Sequence, residues 1–278
     1  MLKEDNNLFK KLVITFVLYN PSKEVRNRIE MFLTNNIDVY VFENSKTNLN
    51  LNNKNLFFFG DQTNQGIGIA LKKFEIEALT NKKEFMFYLD QDTHVSNQIF
   101  RILNFYQQYL ALSKKCISIN LKDNHDYLFK KVPITINSAS LFHLPKLKKI
   151  GLHSRDIFLD GIDFEFSLRA RRYGFILMKG KSFNSIDHNI GQDGDAIKIL
   201  GKSHALFKIY TKSRYNNILK ISFSLLLKSI FLFDIFYAFE LFKFLLFFII
   251  IQAFSHILKL LKSFINYLRK NNEKNEQK

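Results

Sequence analysis

The chain has 278 residues, 47% hydrophobic and 24% charged, a composition that excludes disorder and leaves room for one substantial domain with an appendage, or two small domains. A net charge of +16 with a pI near 9.7 implies an anionic partner, with nucleic acid, nucleotide phosphates and anionic lipid all open. The single cysteine, Cys116, sits in an apolar run and reads as a buried inert thiol; it excludes an internal disulfide framework and a multi-cysteine metal site.

The N-terminus is polar with no signal-peptide core, so a cytoplasmic location is expected. Leu12 to Leu18 is a continuous β-branched and aromatic run, the pattern of a buried parallel strand, ending at the turn Tyr19-Asn20-Pro21-Ser22. Pro21 and Ser22 open a helix whose apolar face is Ile29, Phe32 and Leu33. Ile37 to Phe42 reads as a second strand, ending at Glu43-Asn44-Ser45, and Leu56 to Phe59 as a third. Asn64-Gln65-Gly66-Ile67-Gly68 leads into a helix through about Thr80. It is not a dinucleotide fingerprint, because the third glycine is missing, and no P-loop motif occurs.

Phe85 to Asp90 is the next strand, and it runs straight into Gln91-Asp92-Thr93. Ligands of open α/β sheets bind at the carboxyl ends of strands. Residues i and i+2 of an extended chain point the same way, so Asp90 and Asp92 are expected to face one ligand. Two carboxylates this close favour a hard divalent cation bridging to phosphate; the competing reading is a pair of solvated turn residues. A helix from Ser96 to about Leu112 and a strand from Cys116 to Asn120 follow. This alternation predicts an α/β fold with a doubly wound, mostly parallel sheet.

Val132 to Leu144 reads as a strand with a small-residue break at Ser138-Ala139-Ser140, and Lys146 to Gly151 as a short helix ended by glycine. A helix runs from Ile162 to a stop at Gly174, with Asp163 in its first turn, where the helix dipole favours the ionised form. Asp163 is open to a plain structural reading, as is Glu165 with Arg169 as a surface i,i+4 pair. Phe175–Met178 and Ser182–Ile186 read as short strands. His188 then stands beside a carboxylate and near Gly191, where it suits either a metal or phosphate contact or a structural role.

Six short motifs occur in order: Tyr19-Asn20-Pro21, Glu43-Asn44-Ser45, Asn64-Gln65-Gly66-Ile67-Gly68, Leu89-Asp90-Gln91-Asp92, Asp160-Gly161-Ile162-Asp163-x-Glu165-x-x-Leu168-Arg169-Ala170, and His188-x-x-Gly191. Over about residues 11 to 217 this set resembles the inverting family-two glycosyltransferases of GT-A fold, and within them the bacterial rhamnosyltransferases. The resemblance implies that Tyr19, Asn20, Glu43 and Asn44 line the base and ribose pocket of a nucleotide-sugar donor, with Asn64, Gly66, Asp90 and Gln91 also on the nucleotide side. It implies Mg²⁺ or Mn²⁺ held by Asp92 with His188, and Asp163 as the general base. The implied donor is dTDP-rhamnose, with a UDP-sugar such as UDP-galactose or UDP-N-acetylglucosamine as the alternative. The implied acceptor is a saccharide on a polyprenyl diphosphate, in O-antigen or surface-polysaccharide assembly. Glu43 and Phe166 depart from the family's usual Asp and Trp.

Residues 218–278 are expected to form a separate helical extension beside a GT-A domain of residues 1–217. Over 201–278, 13 Lys and Arg stand against 4 acids, and Ser222 to Leu261 is dense in Phe, Leu and Ile. The longest charge-free run falls short of a membrane span. The preferred expectation is therefore an amphipathic helix on the cytoplasmic face of the bacterial inner membrane. The alternatives are a hairpin closing over the domain, packing in a homodimer, or a single tilted span. A nucleic-acid-binding role is disfavoured because the charge sits beside an apolar tail and not along an aromatic-studded sheet face. An inactive membrane scaffold is disfavoured by the intact Asp90, Asp92 and Asp163.

Overall fold

The computed structural model describes residues 9–122, 126–188, 196–199 and 202–276. Its strands are β1 (Leu12–Leu18), β2 (Asp38–Glu43), β3 (Leu56–Phe59), β4 (Phe85–Asp90), β5 (Thr93–Val95), β6 (Cys116–Asn120), β7 (Phe129–Val132), β8 (Ser140–His143), β9 (Ile176–Gly180), β10 (Ile186–His188), β11 (Ala196–Ile199) and β12 (Lys202–Lys208). Eight of them form one sheet in the order β3-β2-β1-β4-β8-β6-β9-β7. The pairs β3–β2, β2–β1, β1–β4 and β6–β9 are parallel. Strand β8 runs antiparallel to both β4 and β6, and β7 antiparallel to β9. The fold is thus a mixed α/β one with a mostly parallel central sheet flanked by helices.

The pleat explains why the central strands read as unbroken apolar runs. On β1, Leu12, Ile14, Phe16 and Leu18 join the core on one face of the sheet, while Val13 and Val17 join the core on the other. On β4, Phe85, Phe87 and Leu89 face the first core, and Met86 and Tyr88 the second. Helices α1 (Glu24–Leu33) and α3 (Ile99–Leu112) cover the first face; α2 (Gly66–Thr80), α4 (Leu144–Ile150) and α5 (Ile162–Arg172) cover the second. The alternation carries Asp90 to the side of Met86 and Tyr88, the side of α5.

Several expectations are corrected. The chain leaves the extended state at Asp90, and Gln91–Asp92 form a turn before β5. The i,i+2 argument for two parallel carboxylates therefore does not apply. The stretch Val132 to Leu144 is not one strand but two, β7 ending at Val132 and β8 starting at Ser140. Ala139, at φ 55°, stands in the loop between them. Between Ser182 and Ser185 the chain turns through Phe183 (φ 50°) and Asn184 (φ 58°), so the next strand begins only at Ile186. The short strand β5 and the hairpin β11–β12 carried no sequence signal strong enough to predict.

Helix α6 (Lys212–Phe231) and the long α7 (Ile235–Glu276) complete the described chain. The expected boundary between residues 217 and 218 falls inside α6. Both helices are docked on the sheet domain. Leu168 of α5 shares a buried cluster with Leu225, Tyr237 and Leu241. Arg171 donates two hydrogen bonds to Asp234, at 2.6 and 2.5 Å, and Arg214 two to Asp160, at 2.7 and 2.9 Å. Bidentate pairs of this kind fix orientation as well as proximity. The Tyr237 hydroxyl donates to the Phe164 carbonyl at 2.8 Å.

Candidate active site

The motif residues converge on the rim at the carboxyl ends of β1, β2 and β4, where hydrogen bonds tie them to one another. The Gln91 side chain brackets the backbone of Tyr19: Tyr19 N–H donates to Oε1 at 2.8 Å, and Nε2 donates to the Tyr19 carbonyl at 2.9 Å. The Asn20 amide, in a left-handed conformation (φ 48°), donates to Ser45 Oγ at 2.7 Å. Glu43, the last residue of β2, accepts from the Thr47 hydroxyl. Asn44 is buried and accepts from the Gln65 amide at 3.0 Å, while its Nδ2 donates to the Gly66 carbonyl at 3.4 Å. Asn64 Oδ1 accepts from the Gly66 amide at 3.2 Å. In this structure Gln91, Asn44 and Asn64 are struts of the rim, and the Tyr19 ring, half-exposed, is the open surface.

Gly66 and Gly68 owe their identity to a close approach. Gly66 has φ +84°, and a Cβ there would collide with the carbonyl oxygen of Phe158; a Cβ at Gly68 would collide with those of Ile157 and Ser154. The Ile67 amide donates to the Phe158 carbonyl at 2.7 Å. The start of α2 is therefore sealed by the segment that leads into α5.

Asp90 and Asp163 line one cavity of about 420 Å³, together with Tyr88, Lys122, Asn137 and Asp160. Its far wall is Tyr210, Ile218, Phe244 and Phe248, so the C-terminal helices help enclose it. The Tyr88 hydroxyl donates to Asp90 Oδ1 at 2.6 Å, and burial with the adjacent Asp90 charge holds that phenol protonated, well above its ordinary range. Asp163 is partly buried, with part of its surface open to the cavity. Burial pushes its carboxyl up from 3.8 to about 6; the hydrogen bond donated by the Asn137 amide to Oδ1 at 2.9 Å opposes this, the Asp90 charge adds to it, and His153 and Lys122 pull it down. Burial outweighs the helix dipole that the sequence emphasised.

Asp92 stands on the turn beside Arg28, whose guanidinium donates to the carbonyls of Thr93 (3.1 Å) and Gln91. Burial lowers the Arg28 affinity for its proton, and the charges of Glu24 and Asp92 offset only part of that. His188 ends β10, and its backbone lies opposite Thr93, one residue beyond Asp92. The His188 side chain and Gly191 lie outside the described residues. Among the described residues, no three His, Cys, Asp or Glu side chains form a metal-holding group. Asp90 ends β4 on the cavity side and Asp92 follows on the turn beside Arg28; a hard cation such as Mg²⁺ takes one or two protein carboxylates and completes its shell with phosphate and water, so Asp90 at the cavity fits such an ion.

Arg28, Tyr88, Lys122 and Asn137 carried no prediction. For Arg28 a signal existed: it falls on the apolar stripe Val25, Ile29, Phe32 of α1, where a charge needs a buried partner.

No family model and no curated protein matches the chain. Solved structures similar to it include that of S. aureus TarS, at 14% identity and a TM-score of 0.46, covering 61% of this chain and 35% of that one. They also include S. aureus TarS 1-349 in complex with UDP-GlcNAc, at 14% identity and a TM-score of 0.49, covering 78% of this chain and 66% of that one. The chain thus spans about a third of the first of these proteins.

Proposed function

We propose that this protein is a metal-dependent inverting glycosyltransferase. One observation carries the reading. Asp163, whose carboxyl is pushed up to about 6, shares a cavity with Asp90 at the carboxyl end of β4. A carboxylate with that proton affinity is ionised at neutral pH and still basic enough to accept a hydroxyl proton as a bond forms. The Asn137 amide engages Oδ1 and leaves Oδ2 for the acceptor hydroxyl. Attack from the Asp163 side with departure of the diphosphate on the Asp90 side inverts the anomeric centre in one displacement. Asp90 and Asp92 would hold the cation, with His188 beside them, and the cation supplies charge neutralisation for the leaving diphosphate. The Tyr88 and Arg28 hydrogen bonds keep Asp90 and the 91–93 backbone in place.

The donor we propose is dTDP-rhamnose, on the resemblance of Leu89-Asp90-Gln91-Asp92; a UDP-sugar, including UDP-N-acetylglucosamine or UDP-galactose, is the alternative. The acceptor would be a saccharide on a polyprenyl diphosphate, met at the cytoplasmic face of the inner membrane. Supporting that location, Ile235–Leu261 is long and apolar enough to cross a membrane, by length and composition. One stripe of α7, including Tyr237, Leu241, Leu245 and Phe248, is buried against the rest of the chain, while Phe236, Phe239, Phe247 and Ile250 are exposed. A helix that walls the catalytic cavity cannot leave it for the bilayer centre, so lying along the surface fits better than spanning.

Thermal shift with dTDP, UDP and GDP, each with and without Mn²⁺, tests the reading. Metal-dependent stabilisation by dTDP above the others is expected; stabilisation by UDP instead moves the donor to the alternative. No metal-dependent response to any nucleotide refutes the transferase and returns the nucleic-acid and scaffold readings.

A further inference from the structure

Glu75 and His153 form an ion-pair-like contact with both side chains fully buried. Both carboxylate oxygens are used by one residue: Oε2 accepts from the His153 backbone amide at 2.8 Å, and Oε1 meets His153 Nδ1. The imidazole stacks on Phe166 (4.8 Å between centroids, 26°) and meets Phe142 edge-on. Its Nε2 has no hydrogen-bond partner among the described residues. A buried polar pair with an unsatisfied atom is a poor way to stabilise a core, since an apolar pair of the same shape is often as good or better. It is a good way to fix one geometry.

The geometry it fixes is specific. Glu75 lies on α2, whose first turn is hydrogen-bonded to the rim through Asn44. His153 opens the segment that delivers Asp160 to the cavity and then becomes the first turn of α5, where Asp163 sits one helical turn before Phe166. The same segment is pressed onto α2 at two further points, Gly68 under Ser154 and Ile157, and Gly66–Ile67 under Phe158. Helix α2 is thus one rigid body touching the donor-side loop at its start and the base-bearing segment along its length. We propose that Glu75 and His153 are positioning residues for the transfer step, locking the His153–Asp160 segment to α2 so that the Asp163 carboxylate keeps its place opposite Asp90. The proposal rests on the glycosyltransferase reading and assigns the pair no contact with substrate.

The test uses the full chain with Mn²⁺ and two donors, dTDP-rhamnose and UDP-GlcNAc, reading release of the nucleoside diphosphate to water alongside donor affinity by calorimetry. His153→Ala is expected to keep donor affinity within about twofold and to lower turnover at least tenfold. Glu75→Gln, which retains an acceptor for the His153 amide, is expected to lose less than Glu75→Ala. Gly68→Ala perturbs the same lock without touching the pair and keeps the question answerable if His153→Ala does not fold; it should give the same split. Turnover within twofold of the parent in a folded His153→Ala or Gly68→Ala, or a loss of affinity as large as the loss of turnover, overturns the proposal alone. A parent chain that shows no metal-dependent response to dTDP, UDP or GDP overturns the transferase reading, and the proposal with it.

Discussion

Replacing Asp163 by Asn separates catalytic from structural consequences of the same carboxylate. In the folded chain Asp163 holds its proton to about pH 6, against 3.8 for the ordinary group. The folded state therefore binds a proton that the unfolded state has already released, and stability falls as pH rises from about 3.8 through about 6. Above that window the whole cost is present. Two pH units at 1.36 kcal/mol each put it at about 3 kcal/mol. Asn keeps an oxygen for the Asn137 amide, carries no charge, and escapes that cost. At pH 7.5 Asp163→Asn is expected to be more stable than the parent by up to ~3 kcal/mol, roughly 5–10 °C in Tm, while releasing no nucleotide above background. At pH 4 the gap should shrink to roughly 0.5 kcal/mol. Urea unfolding at the two pH values, with donor turnover measured on the same samples, makes the check. A stability difference of zero at pH 7.5, or one that does not change with pH, refutes the assignment of a buried, proton-retaining carboxylate. Normal turnover in the variant removes Asp163 as the base.

Three further outcomes are expected. Arg28→Lys replaces a fork whose two terminal nitrogens each serve one carbonyl, Thr93 and Gln91, by a single shorter ammonium; losing one charge-assisted hydrogen bond of about 1.5–3 kcal/mol should weaken Mn²⁺-dependent nucleotide binding about tenfold or more, and an unchanged Kd by calorimetry refutes the role. Asp234→Ala leaves Arg171 half-buried without its bidentate partner, so a loss of about 2 kcal/mol is expected in urea unfolding; an unshifted midpoint would mean this pair adds nothing to the docking of α6 and α7. Substituting Phe236, Phe239, Phe247 and Ile250 by Ser removes exposed apolar surface worth about 1.5–3 kcal/mol per side chain on burial. Cosedimentation with anionic phospholipid vesicles should then fall at least tenfold with Tm unchanged. Equal sedimentation of the two forms would exclude that face as the membrane contact.

Much of the sheet domain was legible because its information is local. Strands buried on both faces announce themselves as continuous apolar runs, as Leu12–Leu18 and Phe85–Leu89 do, and helices by an apolar stripe of period 3.6. The order of the carboxylate motifs also followed from sequence, since strand ends and helix starts carry them. What escaped is non-local. Whether Asp90 and Asp92 point together depends on where β4 stops, and the chain turns immediately after Asp90. Glu75 reads as a helix residue until the fold shows it on an apolar stripe, and the partners of Glu75 and Arg28, each more than sixty residues away, are set only by the fold. The resemblance put Gly66 on the nucleotide side; the tertiary structure adds that Gly66 and Gly68 are pressed against Ser154 to Phe158.

Composition and periodicity by themselves determined that the chain is an α/β domain with acidic residues at its strand ends and a basic, aromatic helical tail. Hydrophobic pattern and turn chemistry act over a few residues, and those decide secondary structure. Only the tertiary structure decided that Asp163 shares a cavity with Asp90, that its proton affinity rises, and that the tail walls the cavity. Desolvation and enclosure are properties of the whole packed molecule, and no local window of sequence contains them.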